Sequence, residues 1–162
     1  YPLPEAQLDR FLVRMSVGYP GRNDEWEVLS RRLDRGVDEV RLNVIADRAA
    51  VLAMQRAVEA VHVEPDVGYY IVDLVTATRA RPSVLVGASP RGSLALVKLS
   101  RARALLDGRD FVTPDDVKAV AVPALAHRLV LHPELWVSGV SAEDIVGQCL
   151  DLVPTPQSVP SR

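Results

Sequence analysis

Residues 87–98 read GASPRGSLALVK and follow a short apolar run, SVLV, at 83–86. A glycine-spaced turn after an apolar stretch and before a helix is the setting of a phosphate-binding loop, and Gly87 and Gly92 stand at the G-x-x-x-x-G interval. Such a loop aims backbone N–H groups at phosphate oxygens, and a lysine directly after the second glycine reaches the outer phosphates. Here Ser93 and Leu94 follow Gly92, and Pro90 removes one of the amides. YYIVDLV at 69–75 places Asp73 after apolar residues, as a magnesium-binding strand would, but it lies upstream of the glycines and its apolar residues fit a helical stripe. The phosphate-loop reading is therefore rejected.

What remains is a helix start, with Ser89 as N-cap and Pro90 at the first helical position. Arg91 falls in the first turn, where unpaired N–H groups disfavour a cation by about 0.3–1 kcal/mol. An anion reverses that sign. Free amides beside a guanidinium make a composite phosphate site, and a solvated surface arginine is the competing reading.

Downstream, Leu94, Val97, Arg101 and Leu105 continue this helix to a stop at Gly108. In FVTPDDVKAVAVPALAHRLVL, 111–131, Thr113 caps a helix that opens on Pro114, and Asp115 and Asp116 complement its dipole. Pro123 is expected to kink or split it. Ser141 and Asp144 cap a last helix carrying Ile145, Cys149 and Leu152, and residues 153–162, VPTPQSVPSR, are expected to be a loose tail.

Upstream, Pro65 opens a helix whose stripe is Val67, Tyr70, Ile71, Leu74, Val75 and Thr78, ending before Pro82. Another starts near Asp47 and carries Val51, Met54, Val58 and Val61. Asp24 and Glu27 suggest a capping box before Trp26, Leu29 and Leu33, with Gly36 just past the end. GYPGRN at 18–23 is a turn-rich hinge. Before it, Phe11, Val13, Met15 and Val17 alternate with Leu12, Arg14 and Ser16, the period of a strand. A lone strand is unstable, so its partners are expected outside the chain. Pro4 to Asp9 reads as a short helix. Arg10, anchored where that helix meets the strand, is displayed rigidly, as an arginine finger must be; a salt bridge to Asp9 or Glu5 is the plain alternative.

Composition bounds the answer. The 162 residues are 48% apolar but only 5% aromatic, which favours packed helices over aromatic-rich sheets. Nineteen Lys and Arg against 21 Asp and Glu provide no global field for nucleic acid or an anionic membrane, so any phosphate site must be local. The single cysteine, Cys149, rules out an internal disulfide and reads as a buried structural thiol. No apolar run spans a bilayer and no signal peptide is visible, so the chain reads as cytoplasmic. It opens at Tyr1, without methionine and inside a motif, and is expected to be a piece of a longer chain. His62, His127 and His132 lack metal-ligand spacing and read as surface or capping residues, and no metal site is expected.

YPLPEAQLDRFLVRMSVGYP at 1–20, GASPRGSLALVKLSRARALLDGRDFVTPDDVKAVAVPALAHRLVL at 87–131 and the helices between them resemble the C-terminal part of a MoxR-type AAA+ ATPase. The resemblance covers all but the tail. It implies a mostly α chain: residues 1–18 ending the nucleotide-binding core with one terminal strand, a hinge at 19–23, and a helical lid over 24–152. It implies Arg10 as the trans-acting finger and Arg91 as sensor 2 on its own subunit's nucleotide, with Ser89 and Pro90 positioning it. Tyr19 and Pro20 would contact adenine at the hinge, the competing reading being that they are ordinary hinge residues. It further implies ATP and Mg2+ in the intact protein, a hexameric homo-oligomeric ring, chaperone-like remodelling, and partners with von Willebrand factor A domains. The Walker and sensor 1 elements would precede Tyr1, so the chain alone is expected to bind no nucleotide and to be inactive. The alternative is a helical nucleic-acid-binding or protein-interaction module, with Arg101, Arg103, Arg109 and Lys118 as its basic face.

Overall fold

The computed structural model describes residues 4–134 and 139–157, and these are mostly α-helical. Tyr1 to Leu3 and the tail residues 158–162 lie outside the described residues. In chain order the helices are α1 (Glu5–Leu8), α2 (Arg22–Arg35), α3 (Arg48–Ala60), α4 (Pro65–Arg79), α5 (Pro90–Leu106), α6 (Pro114–Leu125) and α7 (Ala142–Leu152). Strands β1 (Val84–Val86) and β2 (Val130–Leu131) pair antiparallel, with Val84 opposite Leu131.

The core is made by α4, α5, α6 and α7. All six stripe residues of α4, from Val67 to Thr78, are buried, because apolar side chains at helical spacing gain by leaving water together. In α5 the expected stripe is not the buried one. Leu94 is 63% exposed, while Gly92, Ala95, Leu96, Ser100 and Ala104 face inward. Small residues let α5 approach α6, which answers with Val117, Ala121 and Ala124. In α7, Leu152 turns outward and Val146 joins Ile145 and Cys149 inside. Burial pushes the Cys149 thiol above its ordinary value, in keeping with a structural thiol. Val153, the first residue of the expected loose tail, is buried as well.

Several helix ends follow from their capping residues. Asp47 accepts from the Ala50 amide at 2.8 Å, and Thr113 with Asp116, like Ser141 with Asp144, forms a reciprocal capping box. The Asp24 and Glu27 box does not form. Helix α2 begins earlier, at Arg22, with Gly21 as an N-cap without a side-chain bond, so Arg22 and Asn23 of the expected hinge are helical. Gly36 closes α2 in the left-handed region at φ 71°. No residue of α2 is buried, and Trp26, Leu29 and Leu33 are exposed. Pro123 does not split α6, because it sits one turn from the end, and the chain tightens at once into a 3₁₀ turn, Ala126–Arg128. The segment Phe11–Val17 joins no ladder among the described residues, since nothing there offers a neighbouring strand.

Asp116 carries more than dipole complementation. It is buried and receives both Arg109 terminal nitrogens at 2.7 Å, while accepting from the Thr113 amide and hydroxyl at 2.8 Å. Burial alone raises its pKa, but the Arg109 and Thr113 bonds outweigh it and hold the carboxyl below the usual carboxylate value. Its stabilisation is therefore complete above the unfolded value of about 4 and is lost as pH falls through the folded one. Asp116→Asn is expected to cost about 2–3 kcal/mol at pH 7, by denaturant unfolding. The gap to wild type should narrow on acidification below about pH 4.

Candidate functional site

The α4–α5 connection is fixed from both sides. Thr78, buried near the end of α4, accepts from the Ala88 amide at 3.1 Å and donates to the Val75 carbonyl at 2.7 Å. Arg79 Nε donates to the Ala88 carbonyl at 2.7 Å. Both polar backbone groups of Ala88 are thus bonded to α4. Gly87 is needed for this approach, since a Cβ there would meet the Arg79 Cα and Cγ at 2.7 Å. A Cβ on Gly92 would lie 3.0 Å from Leu125 Cδ2 and 3.3 Å from the Ala88 Cβ. The glycine interval is explained by helix packing.

The amides of this turn are also engaged. Arg91 N–H donates to the Ser89 hydroxyl at 3.2 Å and Gly92 N–H to the Ser89 carbonyl at 2.8 Å, so the composite of free amides and guanidinium is reduced to the guanidinium. Ser89 caps α5 as expected, with Pro90 at its first turn. The Ser89 hydroxyl also donates to both Asp9 carboxylate oxygens, at 3.0 and 3.1 Å.

Asp9 is the meeting point. Arg128 Nη1 donates to it at 2.8 Å, and Arg91 Nη1 lies 3.5 Å away. Burial raises the Asp9 pKa, yet the Arg128 and Ser89 bonds and the charges of Arg128 and Arg91 leave it below the ordinary carboxylate value. Around this carboxylate opens a cleft of about 370 Å3, lined by Arg10, Leu12, Arg91, Leu94, Lys98 and Arg128 among others. The two arginines singled out in the sequence therefore share one cleft. Arg10 and Lys98 are exposed and have no ion-pair partner among the described residues. Tyr19 and Pro20 are exposed and do not line it.

The basic face of the alternative reading is neutralised. Arg101 pairs with Glu59 at 2.8 Å, Arg103 lies 3.6 Å from Asp116, Arg109 is held by Asp116 and Asp107, and Lys118 lies 3.6 Å from Asp115. His127 departs from expectation. It is buried, and its Nε2 is 3.0 Å from the Phe11 carbonyl. Among the described residues no cluster of three or more His, Cys, Asp or Glu is arranged to hold a metal ion, and no helix is long and apolar enough to cross a membrane. Sequence reasoning missed Asp9 as a hub, Lys98 and Arg128. Lys98 was within reach, being seven residues after Arg91 on the same helix face. Arg128 lies 119 residues from Asp9 and had no local signal.

Residues 76–149 match the AAA lid domain family. YeaC of Bacillus subtilis is 46% identical over 156 residues, covering 96% of this chain and 48% of that protein. The chaperone MoxR1 of Mycobacterium tuberculosis is 37% identical, covering 97% and 43%. The crystal structure of a Cytophaga hutchinsonii protein described as a "putative ATPase" superposes with a TM-score of 0.88 at 32% identity, over 97% of this chain and 50% of that one. The chain thus spans about half the length of the curated relatives it matches.

Gly87→Ala is expected to lose about 1–3 kcal/mol in denaturant unfolding, because the methyl meets backbone that cannot yield. Gly68→Ala, inside α4 with open space around it, is expected to gain about 0.5–1 kcal/mol in the same measurement.

Proposed function

Given that the chain carries an AAA lid domain and is of MoxR type over nearly its whole length, we propose that its parent protein is a ring-forming ATPase. In it, this chain supplies the lid and the arginines that meet a nucleotide's terminal phosphate. The supporting observation is the cleft. Arg10, Arg91 and Lys98 line it around Asp9, and of the three only Arg91 has an acidic neighbour, whereas each basic-face residue has one. Phosphoryl transfer asks little covalent chemistry of the protein and depends on positioning and charge stabilisation. Guanidinium groups suit that task, since their planar forks match phosphate oxygens.

The residues present, three cations around one carboxylate, fit a phosphate group. Metal binding and water activation are assigned to parts of the parent other than these residues. The 162-residue chain alone is accordingly expected not to hydrolyse ATP. Chaperone-like remodelling is supported by the designation of the M. tuberculosis relative as a chaperone. Ring closure, von Willebrand factor A partners and a cytoplasmic site of action complete the proposal.

The sequence reading put Arg91 on its own subunit's nucleotide and Arg10 on the neighbour's. Two guanidiniums lining one cleft beside one carboxylate are better matched to a single phosphate group. We therefore assign both to the neighbour's nucleotide. Arg91 would leave Asp9 when a phosphate takes its place.

In the full-length protein, Arg10→Ala is expected to lower kcat by about 10³-fold with nucleotide Kd changed less than about twofold. Arg91→Ala should lower kcat and weaken binding as well. Rings mixed from the two variants should stay inactive in a phosphate-release assay, because every interface then carries one lesion. Wild-type turnover in both variants defeats the reading of the two arginines, and recovered turnover in the mixture returns Arg91 to its own subunit's nucleotide.

A further inference from the structure

Resting on the reading of Arg10 above, we propose that Arg128 is the positioning residue for that arginine. Its guanidinium fixes the backbone on both sides of Arg10 and leaves the Arg10 side chain free to be aimed. The Arg128 side chain is 2% exposed. Its Nε donates to the Ala124 carbonyl at 2.8 Å, anchoring the head group to α6. Nη1 donates to the Asp9 carboxylate at 2.8 Å and also to the Asp9 main-chain carbonyl. Nη2 donates to the Phe11 carbonyl at 2.7 Å. The residues gripped are those immediately before and after Arg10.

The rest of the attachment is polar too. His127 Nε2 reaches the same Phe11 carbonyl, which can only accept, so this nitrogen carries the hydrogen. The Arg14 amide donates to the Pro123 carbonyl at 2.9 Å. Phe11 and Leu12, by contrast, are 55% and 44% exposed, so apolar burial contributes little to holding this segment. A rigid planar fork with several donors is what can clamp two carbonyls and a carboxylate at once. A tie needed only to hold this segment in place would not have to bracket Arg10, whose own charge has no ion-pair partner among the described residues.

The test uses full-length protein, ATP turnover and binding of a fluorescent ATP analogue. Arg128→Lys keeps the charge beside Asp9, but one ammonium cannot reach both carbonyls. It is expected to lower kcat by about 10- to 100-fold, with nucleotide affinity and melting temperature close to wild type. Placed in an Arg10→Ala background it should cost nothing more, since a residue acting through Arg10 has nothing left to direct. The same fold-loss in both backgrounds, or no loss in either, overturns the proposal. If Arg128→Lys does not melt cooperatively, His127→Ala, which removes the other donor to Phe11, carries the same expectation with a loss of a few fold. Full turnover in Arg10→Ala overturns the reading of Arg10 and this proposal with it. A large loss in Arg10→Ala with Arg128→Lys silent overturns this proposal alone.

Discussion

One carboxylate organises the functional end of this chain. Asp9 gathers a buried arginine from the end of the bundle, the capping hydroxyl of α5 and an exposed arginine in the first turn of that helix. A carboxylate accepts several bonds at once, and charge-assisted ones outweigh the cost of its partial burial. Without it, Arg128 would hold a buried charge with no counter-ion, a costly arrangement. Segment 4–14 and the α4–α6 bundle are therefore joined by ions and hydrogen bonds, and no residue of the segment belongs to the buried apolar core.

The scaffold beneath that junction is built by backbone capture. Thr78 and Arg79 bond the amide and carbonyl of Ala88, and Gly87 supplies the missing Cβ that makes the approach possible. Ser89 then begins α5 at a fixed height, so Arg91 and Lys98 emerge on the cleft side. The glycine spacing that suggests a phosphate cradle in the sequence does a packing task here. The phosphate-facing role passes to side chains.

Much of the architecture was legible because capping chemistry is local. Asp47, Ser89, Thr113 with Asp116, and Ser141 with Asp144 each mark a helix start within three residues. The α4 stripe was readable because large apolar residues repeat at the helical period. The buried face of α5 was not, because Gly92, Ala95, Ser100 and Ala104 are chosen for smallness, which periodicity of hydrophobic residues does not register. In α2 the pattern of Trp26, Leu29 and Leu33 announces a helix with an apolar side, but says nothing of what covers it. At the site, Arg91 was singled out by its place in the first turn of a helix and Arg10 by its place between helix and strand, and the resemblance implied their separate roles. Their common cleft, and the roles of Asp9, His127 and Arg128, depend on contacts across more than a hundred residues.

That separation has a consequence for the order of assembly. Asp9 and Arg128 stand 119 positions apart, so during synthesis the segment bearing Asp9 leaves the ribosome well before its docking partner exists. Closing so large a loop is entropically slow compared with pairing neighbouring helices. The bundle is thus the template, and the stretch bearing Arg10 settles onto it as a late event, after the last turn of α6 has formed.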